Sequence, residues 1–297
     1  MKILLTGSSG LIGRALTPFL TTDGNELTRL VRSKTSAGPG QISWDPKAGT
    51  IQQEALEGFD AVVHLAGETI VGRWTAGKKA RILESRAQGT RLLCESLGRL
   101  KKPPHVLLSA SAIGFYGDRG DEKLDETSSA GSLFLSEVTT AWEVATEPAA
   151  RSGVRVVNLR VGFVLSAAGG GLAAMLLPFK MGLGGRMGSG RQYMSWVAMD
   201  DVVGAVLHAL GTEALAGPVN VVAPNPVTNL EFTKTLGRVL HRPTVFPMPA
   251  FAARLVFGEM ADNLLLASTR VAPTRLVATG YQFRFPQLEP ALRHVLG

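Results

Sequence analysis

Cysteine is almost missing from this 297-residue chain, where Cys94 stands alone. A single thiol excludes an internal disulfide and any thiolate metal site. It fits a reducing compartment, so a cytoplasmic protein is expected. Cys94 lies in TRLLCESLGRL, whose apolar residues share one helix side, and it reads as a small buried hydrophobe rather than a nucleophile. Long apolar runs are missing too. No stretch of about 18 apolar residues is free of charge, so no membrane span is expected. The opening MKILLTGSSG has too short an apolar run for a signal peptide. The five histidines, at 64, 105, 208, 241 and 294, show no metal-ligand spacing, and His64 reads as a core residue. Acidic residues are outnumbered, 24 against 31 basic, for a net charge of +7. The cations are dispersed, however, with only short groups such as Lys78-Lys79-Ala80-Arg81 and Lys101-Lys102. No basic arm for nucleic acid is present, and a small molecule is the expected partner of a monomer or homodimer.

What the chain does have is glycine, 34 residues gathered in a few turns. Short apolar runs alternate with longer helical patterns over the first two-thirds. Strands are expected at Lys2–Thr6, Glu26–Arg32, Ile42–Asp45, Ala61–Ala66, Val106–Ala110, Val154–Arg160 and Val219–Val222, and helices at Arg81–Leu100 and Glu137–Ser152. AVVHLAG and HVLLSAS are nearly continuous apolar runs, the mark of strands buried on both faces of a parallel sheet. The expected fold is α/β, a doubly wound parallel Rossmann sheet with a small, mostly helical C-terminal substrate lobe. Residues 1–163 plus 196–223 are assigned to the sheet domain and 164–195 plus 224–297 to the lobe. The glycine-rich stretch from Gly182 to Trp196 is expected as a loop or hairpin facing the cleft.

The stretch LLTGSSGLIGRAL carries the chemistry. Gly7, Gly10 and Gly13 follow the first strand and open a helix. Gly7 permits the turn, Gly10 lets backbone approach a pyrophosphate, and Gly13 allows close helix–sheet packing. The helix N-terminus then offers free N–H groups and partial positive charge to phosphates. The second strand ends at Arg32, with Lys34 close by, where an NAD site carries Asp or Glu. Arginine suits a 2′-phosphate, so NADP(H) is favoured over NAD(H).

TGSSGLIG resembles the extended short-chain dehydrogenase/reductases, the NAD(P)-dependent epimerase/dehydratase superfamily. VVHLAGETI followed by Arg73-Trp74, ESRAQGTRLL, SASAIGFYGDRG, LPFKMGLGGRMGSGRQYMSWV and the tail GEMADNLLLASTRVAPTRLVATGYQFRFP narrow it. They resemble an atypical epimerase-family oxidoreductase branch with a small C-terminal domain of unknown function. The resemblance implies that the turn, with Gly7, Ser9, Gly10, Leu11, Ile12 and Gly13, meets the pyrophosphate and Arg32 the 2′-phosphate. It implies that Leu65, Ala66 and Gly67 line the groove. Arg86 reaches a phosphate or ribose, or is a helix-surface charge. Ser109 and Val164 flank the nicotinamide.

The superfamily's usual engine is Ser/Thr with Tyr and Lys four residues apart on one helix face. Of the three tyrosines, Tyr116, Tyr193 and Tyr281, none has lysine at +4. With Glu143 matched to the helix glutamate, Leu135 and Thr139 occupy the two positions. Ser111, matched to the superfamily serine, is left as a hydrogen-bond partner, with Tyr116 or Glu137 as acid/base. Arg191, Gln192 and Trp196 are implied to face substrate, and Ala198 stands where the branch often has histidine. The expected activity is oxidoreduction or epimerisation of a small polar carbonyl or sugar-like substrate. The alternative is a non-catalytic NADP(H)-binding regulator or redox sensor.

Overall fold

A computed structural model describes residues 1–22, 24–32 and 38–297. In chain order the first half runs β1 (Lys2–Thr6), α1 (Leu11–Leu20), β2 (Glu26–Val31), β3 (Gln41–Asp45), β4 (Thr50–Ile51), β5 (Ala61–His64), α2 (Ala76–Gly98), β6 (Val106–Ala112), β7 (Lys123–Leu124), α3 (Phe134–Val144) and α4 (Glu147–Arg151). The second half runs β8 (Arg155–Val161), β9 (Phe163–Leu165), α5 (Gly170–Lys180), β10 (Tyr193–Met194), β11 (Trp196–Ala198), α6 (Met199–Gly211) and β12 (Gly217–Val221). It closes with β13 (Val227–Thr228), α7 (Asn229–Leu240), α8 (Ala250–Phe257), β14 (Arg270–Val271), α9 (Thr274–Ala278) and α10 (Leu288–Leu296).

Eight strands form the main sheet in the order β12-β8-β6-β5-β1-β2-β3-β4. Every neighbour pair is parallel except the β3–β4 edge. The order turns back on itself between β1 and β5, and the crevice of a doubly wound sheet opens at that switch point. Alternation along each strand divides the core. Ile3, Leu5, Ala61, Val63 and Leu108 face α1 and α6, whereas Leu4, Val62 and Leu107 face α2 and α4. The expected α/β doubly wound architecture is the one observed. The single helix expected at Glu137–Ser152 is two, α3 and α4, because Pro148 sits in the first turn of a new helix.

A separate core holds the lobe, built on Leu165, Leu172, Phe179, Trp196, Phe232, Leu236 and Leu292. Helix α7 starts at a capping box, Thr228 with Glu231. The glycine-rich stretch is tied down by short pairings, β10 with β13 and a bridge from Met187 to Met248. Part of the sequence assigned to the lobe packs instead on the sheet. Leu276 of α9, Tyr281 and Phe283 join the α1/α6 core.

That return is anchored by Asp201, fully buried in the first turn of α6. Its carboxylate accepts the amides of Arg284 at 2.7 Å and Phe285 at 3.0 Å and the Tyr281 hydroxyl at 3.1 Å. Asp201→Ala removes the acceptor of two backbone amides and one of the two acceptors of the Tyr281 hydroxyl, which also bonds to the Asp201 carbonyl oxygen at 3.1 Å. It is expected to lower stability by about 2–4 kcal/mol. A fall in urea midpoint at unchanged m-value is the check.

Candidate functional site

The site begins where β1 ends. The Thr6 hydroxyl accepts the amides of Leu65 and Ala66, both at 3.1 Å. It has one proton to give and donates it to His64 Nδ1 at 2.7 Å. The other ring nitrogen, Nε2, then carries the hydrogen and donates to Thr90 Oγ1 at 2.9 Å. Burial pushes the His64 pKa down to about 4. One side chain therefore holds the C-terminal ends of β1 and β5 at a fixed spacing, and α2 is tied in behind them.

The glycine turn rests on this clamp. Gly7 has φ of +69°, and a Cβ on it would lie 2.6 Å from the Leu65 carbonyl carbon. A Cβ on Gly13 would lie 2.3 Å from the Gly7 oxygen, and one on Gly10 3.2 Å from it. The Gly10 amide donates to Gly7 O, and the first α1 bond runs from Arg14 N to Gly10 O, both at 2.9 Å. No side chain caps α1 and no acidic residue stands in its first turn. The amides of Leu11, Ile12 and Gly13 are thus free to face an anion beside Ser9. Leu11 packs against the Gly169–Gly170 start of α5, which brings the lobe to the edge of the turn. On the turn's outer side Ser8, Ser9, Arg14, Thr17, Pro18 and Arg29 line a concavity of about 330 Å³.

Cations gather around Glu68. Arg32 is exposed just past β2, while Lys34 lies outside the described residues. Glu68, three residues past Leu65, pairs through Oε1 with Lys78 Nζ at 2.9 Å. That hydrogen bond, with the charges of Lys78, Arg81 and Arg32, holds the Glu68 carboxyl below the usual carboxylate range. Arg86 donates to the Glu68 carbonyl oxygen at 2.9 Å and lies over Gly67, where a Cβ would come within 3.2 Å of its guanidinium carbon. It also stacks 4.9 Å from the Trp142 ring centroid, and burial lowers its pKa to about 10. Arg86 is therefore no loose surface charge. Lys78 and Arg81 belong to the short basic group visible in the sequence. Nothing there told which β-strand end they would meet.

The nicotinamide side is built differently from the expectation. Ser109 and Ser111 lie on the α2/α3 face of β6, both buried. Ser111 Oγ donates to Glu143 Oε1 at 2.7 Å, and Arg160 holds both oxygens of that carboxylate at 2.8 Å. Arg160 also donates to the Tyr116 hydroxyl at 3.0 Å, which donates in turn to Asn220 Oδ1 at 2.7 Å. Tyr116 has no exposed surface, packs with Leu124, Val222 and Val271, and has its pKa raised by burial. Its hydroxyl is committed inside the protein, so it leaves the set of acid/base candidates. Glu137 is exposed in the first turn of α3. The structure does not bring it together with Ser111, which bonds to a different glutamate. Val164 of β9 is half-buried against the α1/α6 core.

At the two positions expected for a Tyr/Lys pair, Leu135 packs with Trp74, Ile82 and Val138, and Thr139 bonds back to the Leu135 carbonyl at 2.7 Å. The Leu135 amide is capped from the lobe by Asn263 Oδ1 at 3.1 Å. Two of the three substrate candidates need correction. Trp196 is fully buried in the lobe core, its indole N–H on the Asn225 carbonyl oxygen at 3.0 Å, because the alternation of β11 turns it away from the sheet. Gln192 is buried as well, and its amide spans the carbonyl oxygens of Met187 and Leu265 at 3.0 Å each. Arg191 is exposed. Among the described residues no cluster of His, Cys, Asp or Glu is placed to hold a metal, and no helix is long and apolar enough to cross a membrane.

Comparison with known proteins agrees with this geometry. Residues 3–222 match the NAD dependent epimerase/dehydratase family, and residues 248–295 match a domain of unknown function, DUF1731. The epimerase family protein Mb2239 of Mycobacterium bovis is 43% identical, over 98% of this chain and 96% of its own length. The epimerase family protein YfhF of Bacillus subtilis is 35% identical, over 100% and 98%. The crystal structure of human epimerase family protein SDR39U1 (isoform 2) with NADPH superposes with a TM-score of 0.91 at 37% identity, covering 99% of both chains.

The buried imidazole makes stability pH-dependent. His64 stays neutral in the folded protein down to about pH 4, whereas in the unfolded chain it takes up a proton near its ordinary value of 6.5. Its contribution is fully present above about pH 6.5 and is lost as pH falls toward 4. Urea unfolding across that window is expected to show about one more proton taken up by the wild type than by His64→Gln.

Proposed function

Because this chain belongs to the NAD dependent epimerase/dehydratase family, we propose that it binds NADP(H) and uses it for oxidoreduction or epimerisation of a small polar carbonyl or sugar-like substrate. The observation that carries the reading is the glycine cradle. Gly7 and Gly13 stand where a Cβ would strike backbone and Gly10 where it would crowd the Gly7 oxygen, in front of an uncapped helix N-terminus, with Arg32 exposed just past β2. The donor set suits a nucleotide diphosphate with a further phosphate at its ribose end. The bound nicotinamide would supply hydride transfer.

This chain's own residues have separate tasks. The amides of Leu11, Ile12 and Gly13 hold the pyrophosphate beside Ser9 and Gly10. Arg32 recognises the 2′-phosphate, and Leu65, Ala66 and Gly67 form the wall that the Thr6 clamp keeps in place. Arg86, immobilised on the Glu68 carbonyl, keeps that wall from moving outward. Ser109 and Val164 flank the nicotinamide side. Ser111 gives its proton to Glu143, so its lone pairs are left to accept from a substrate hydroxyl that reaches this buried position. Glu137 is the carboxylate left to exchange a proton with substrate, and Arg191 the cation left to hold it. A small-molecule partner and a cytoplasmic monomer or homodimer complete the reading.

The second reading, a non-catalytic NADP(H)-binding regulator or redox sensor, draws on Leu135 and Thr139. Both are locked into packing where the proton-transferring pair would stand.

Calorimetric titration tests the first reading. NADPH is expected to bind at least tenfold more tightly than NADH. Arg32→Ala should weaken NADPH by about ten- to a hundredfold and leave NADH nearly unchanged. Gly10→Ala should weaken both. Absence of binding by either nucleotide sinks the proposal. A panel of polar aldehydes, ketones and nucleotide sugars then separates the two readings. NADPH consumption, or an epimerised sugar formed with no net change in cofactor, that is lost in Ser111→Ala at unchanged NADPH affinity marks an enzyme, and neither result on the whole panel marks the sensor.

A further inference from the structure

The cationic rim contains an anion of its own. Glu68 Oε1 lies 2.9 Å from Lys78 Nζ, and the charges of Arg81 and Arg32 also reach its carboxylate. The Lys78 side chain is only 12% exposed and that of Glu68 31% exposed, so the pair is half withdrawn from water. Glu68 is also held in place through its backbone. Its amide donates to Ser85 Oγ at 3.0 Å and its carbonyl oxygen accepts from Arg86 at 2.9 Å, both groups on α2. The carboxylate is therefore preorganised rather than drifting at the surface. It projects from the segment directly after the Leu65–Gly67 wall, where the charge of Arg32, just past β2, reaches it.

We propose that Glu68 is a resident counter-anion that holds Lys78 and Arg81 for the 2′-phosphate of the nucleotide, and that these three residues, with Arg32, set the preference for NADP(H) over NAD(H). The proposal rests on the nucleotide reading given above and adds the α2 residues to it. Three like charges around one point are unfavourable without an anion among them, and a fixed carboxylate offsets that cost when no nucleotide is bound. A phosphate dianion carries more charge than the carboxylate and three acceptor oxygens, so it displaces the pairing rather than adding to it. Glu68 then opposes binding of the phosphorylated nucleotide while keeping its binding cations in position. It acts on the 2′-phosphate alone, because a nucleotide without that group leaves the Glu68–Lys78 pair undisturbed.

Titration with 2′,5′-ADP and ADP isolates this end of the nucleotide, and NADPH and NADH are measured beside them. Glu68→Gln is expected to tighten 2′,5′-ADP and NADPH by about three- to tenfold, the scale of a half-exposed ion pair, with ADP and NADH within twofold. Lys78→Met and Arg81→Met are expected to weaken 2′,5′-ADP about tenfold, again with ADP within twofold. Added salt should weaken 2′,5′-ADP less in these variants than in the wild type. Arg81 is exposed, so its variant carries the test if loss of Lys78 disturbs the fold, and melting without nucleotide monitors this. Weaker ADP and NADH in Glu68→Gln would make Glu68 a ribose ligand and overturn the proposal. So would unchanged 2′,5′-ADP affinity, or equal losses for both fragments in the cation variants. Failure of the wild type to bind any of the four probes is a different result, and it removes the nucleotide reading itself.

Discussion

The hydroxyl of Thr6 satisfies two backbone amides and one imidazole nitrogen at the point where β1 gives way to the glycine turn. Each of these groups is buried or nearly so, and each would cost free energy if left unpaired. Their mutual satisfaction fixes how far the end of β5 stands from the end of β1. That distance is what Gly7 exploits, since its backbone lies against the Leu65–Ala66 peptide more closely than any side chain permits. The orientation of α1 follows from the same contact, because Gly13 seats the helix on the Gly7 carbonyl. An anion cradle made of backbone amides has no side chain to adjust, so its precision comes from the residues that hold the backbone still.

The opposite side of the crevice shows how a helix keeps its place in the fold through an ion pair. Glu143 and Arg160 form a nearly buried, two-pronged ion pair that ties α3 to β8. Breaking such a pair by removing one partner strands a charge in the interior. The pair recruits Ser111 on one side and Tyr116 on the other, and through Tyr116 it reaches Asn220 of β12. Asn220 in turn donates to the Ala272 carbonyl oxygen at 2.9 Å, so the network extends to the segment beside β14. A tyrosine spent in this way has no proton to exchange at the cleft. The geometry explains why a tyrosine next to the right strand is not by that fact a replacement for one on α3.

The parts of the molecule that were legible in the sequence are those governed by local rules. The β1 bounds, the parallel apolar runs and the strand–turn–helix context of the three glycines all follow from alternation and backbone sterics. The site residues that escaped notice, Thr6, Glu68, Lys78, Arg81 and Asn263, act through partners far away in the chain. Glu68 and Lys78 are only ten residues apart, yet the meaning of their pairing depends on Arg32 from another βα unit. The same limit explains Trp196 and Gln192. Their motif matches a substrate-facing stretch, but strand alternation in β11 and two carbonyl oxygens turn both side chains inward. A motif gives the path of the backbone more securely than the direction of a side chain.

The C-terminal segment is where distance in sequence matters most. Glu259 pairs with Lys79 on α2 at 2.8 Å, Met260 packs beside Leu135, and Asn263 caps the Leu135 amide. A few residues further on, Ser268 accepts the Tyr193 amide at 2.9 Å, and its own amide donates to Asp118 at 3.0 Å. Val271 pairs with Leu124, so β14 lies beside β7. The strap from Glu259 to Val271 thus runs from the α2/α3 side of the sheet to the loop after β6, bonding to both. Its residues take the space next to the α3 positions that lack tyrosine and lysine. The apolar Leu135 and the lobe that covers it are two halves of one packing solution. A tyrosine at position 135 would have to find room for its larger ring against Trp74, Ile82 and Met260. The shape of the crevice is therefore set by the C-terminal segment as much as by the glycine-turn half.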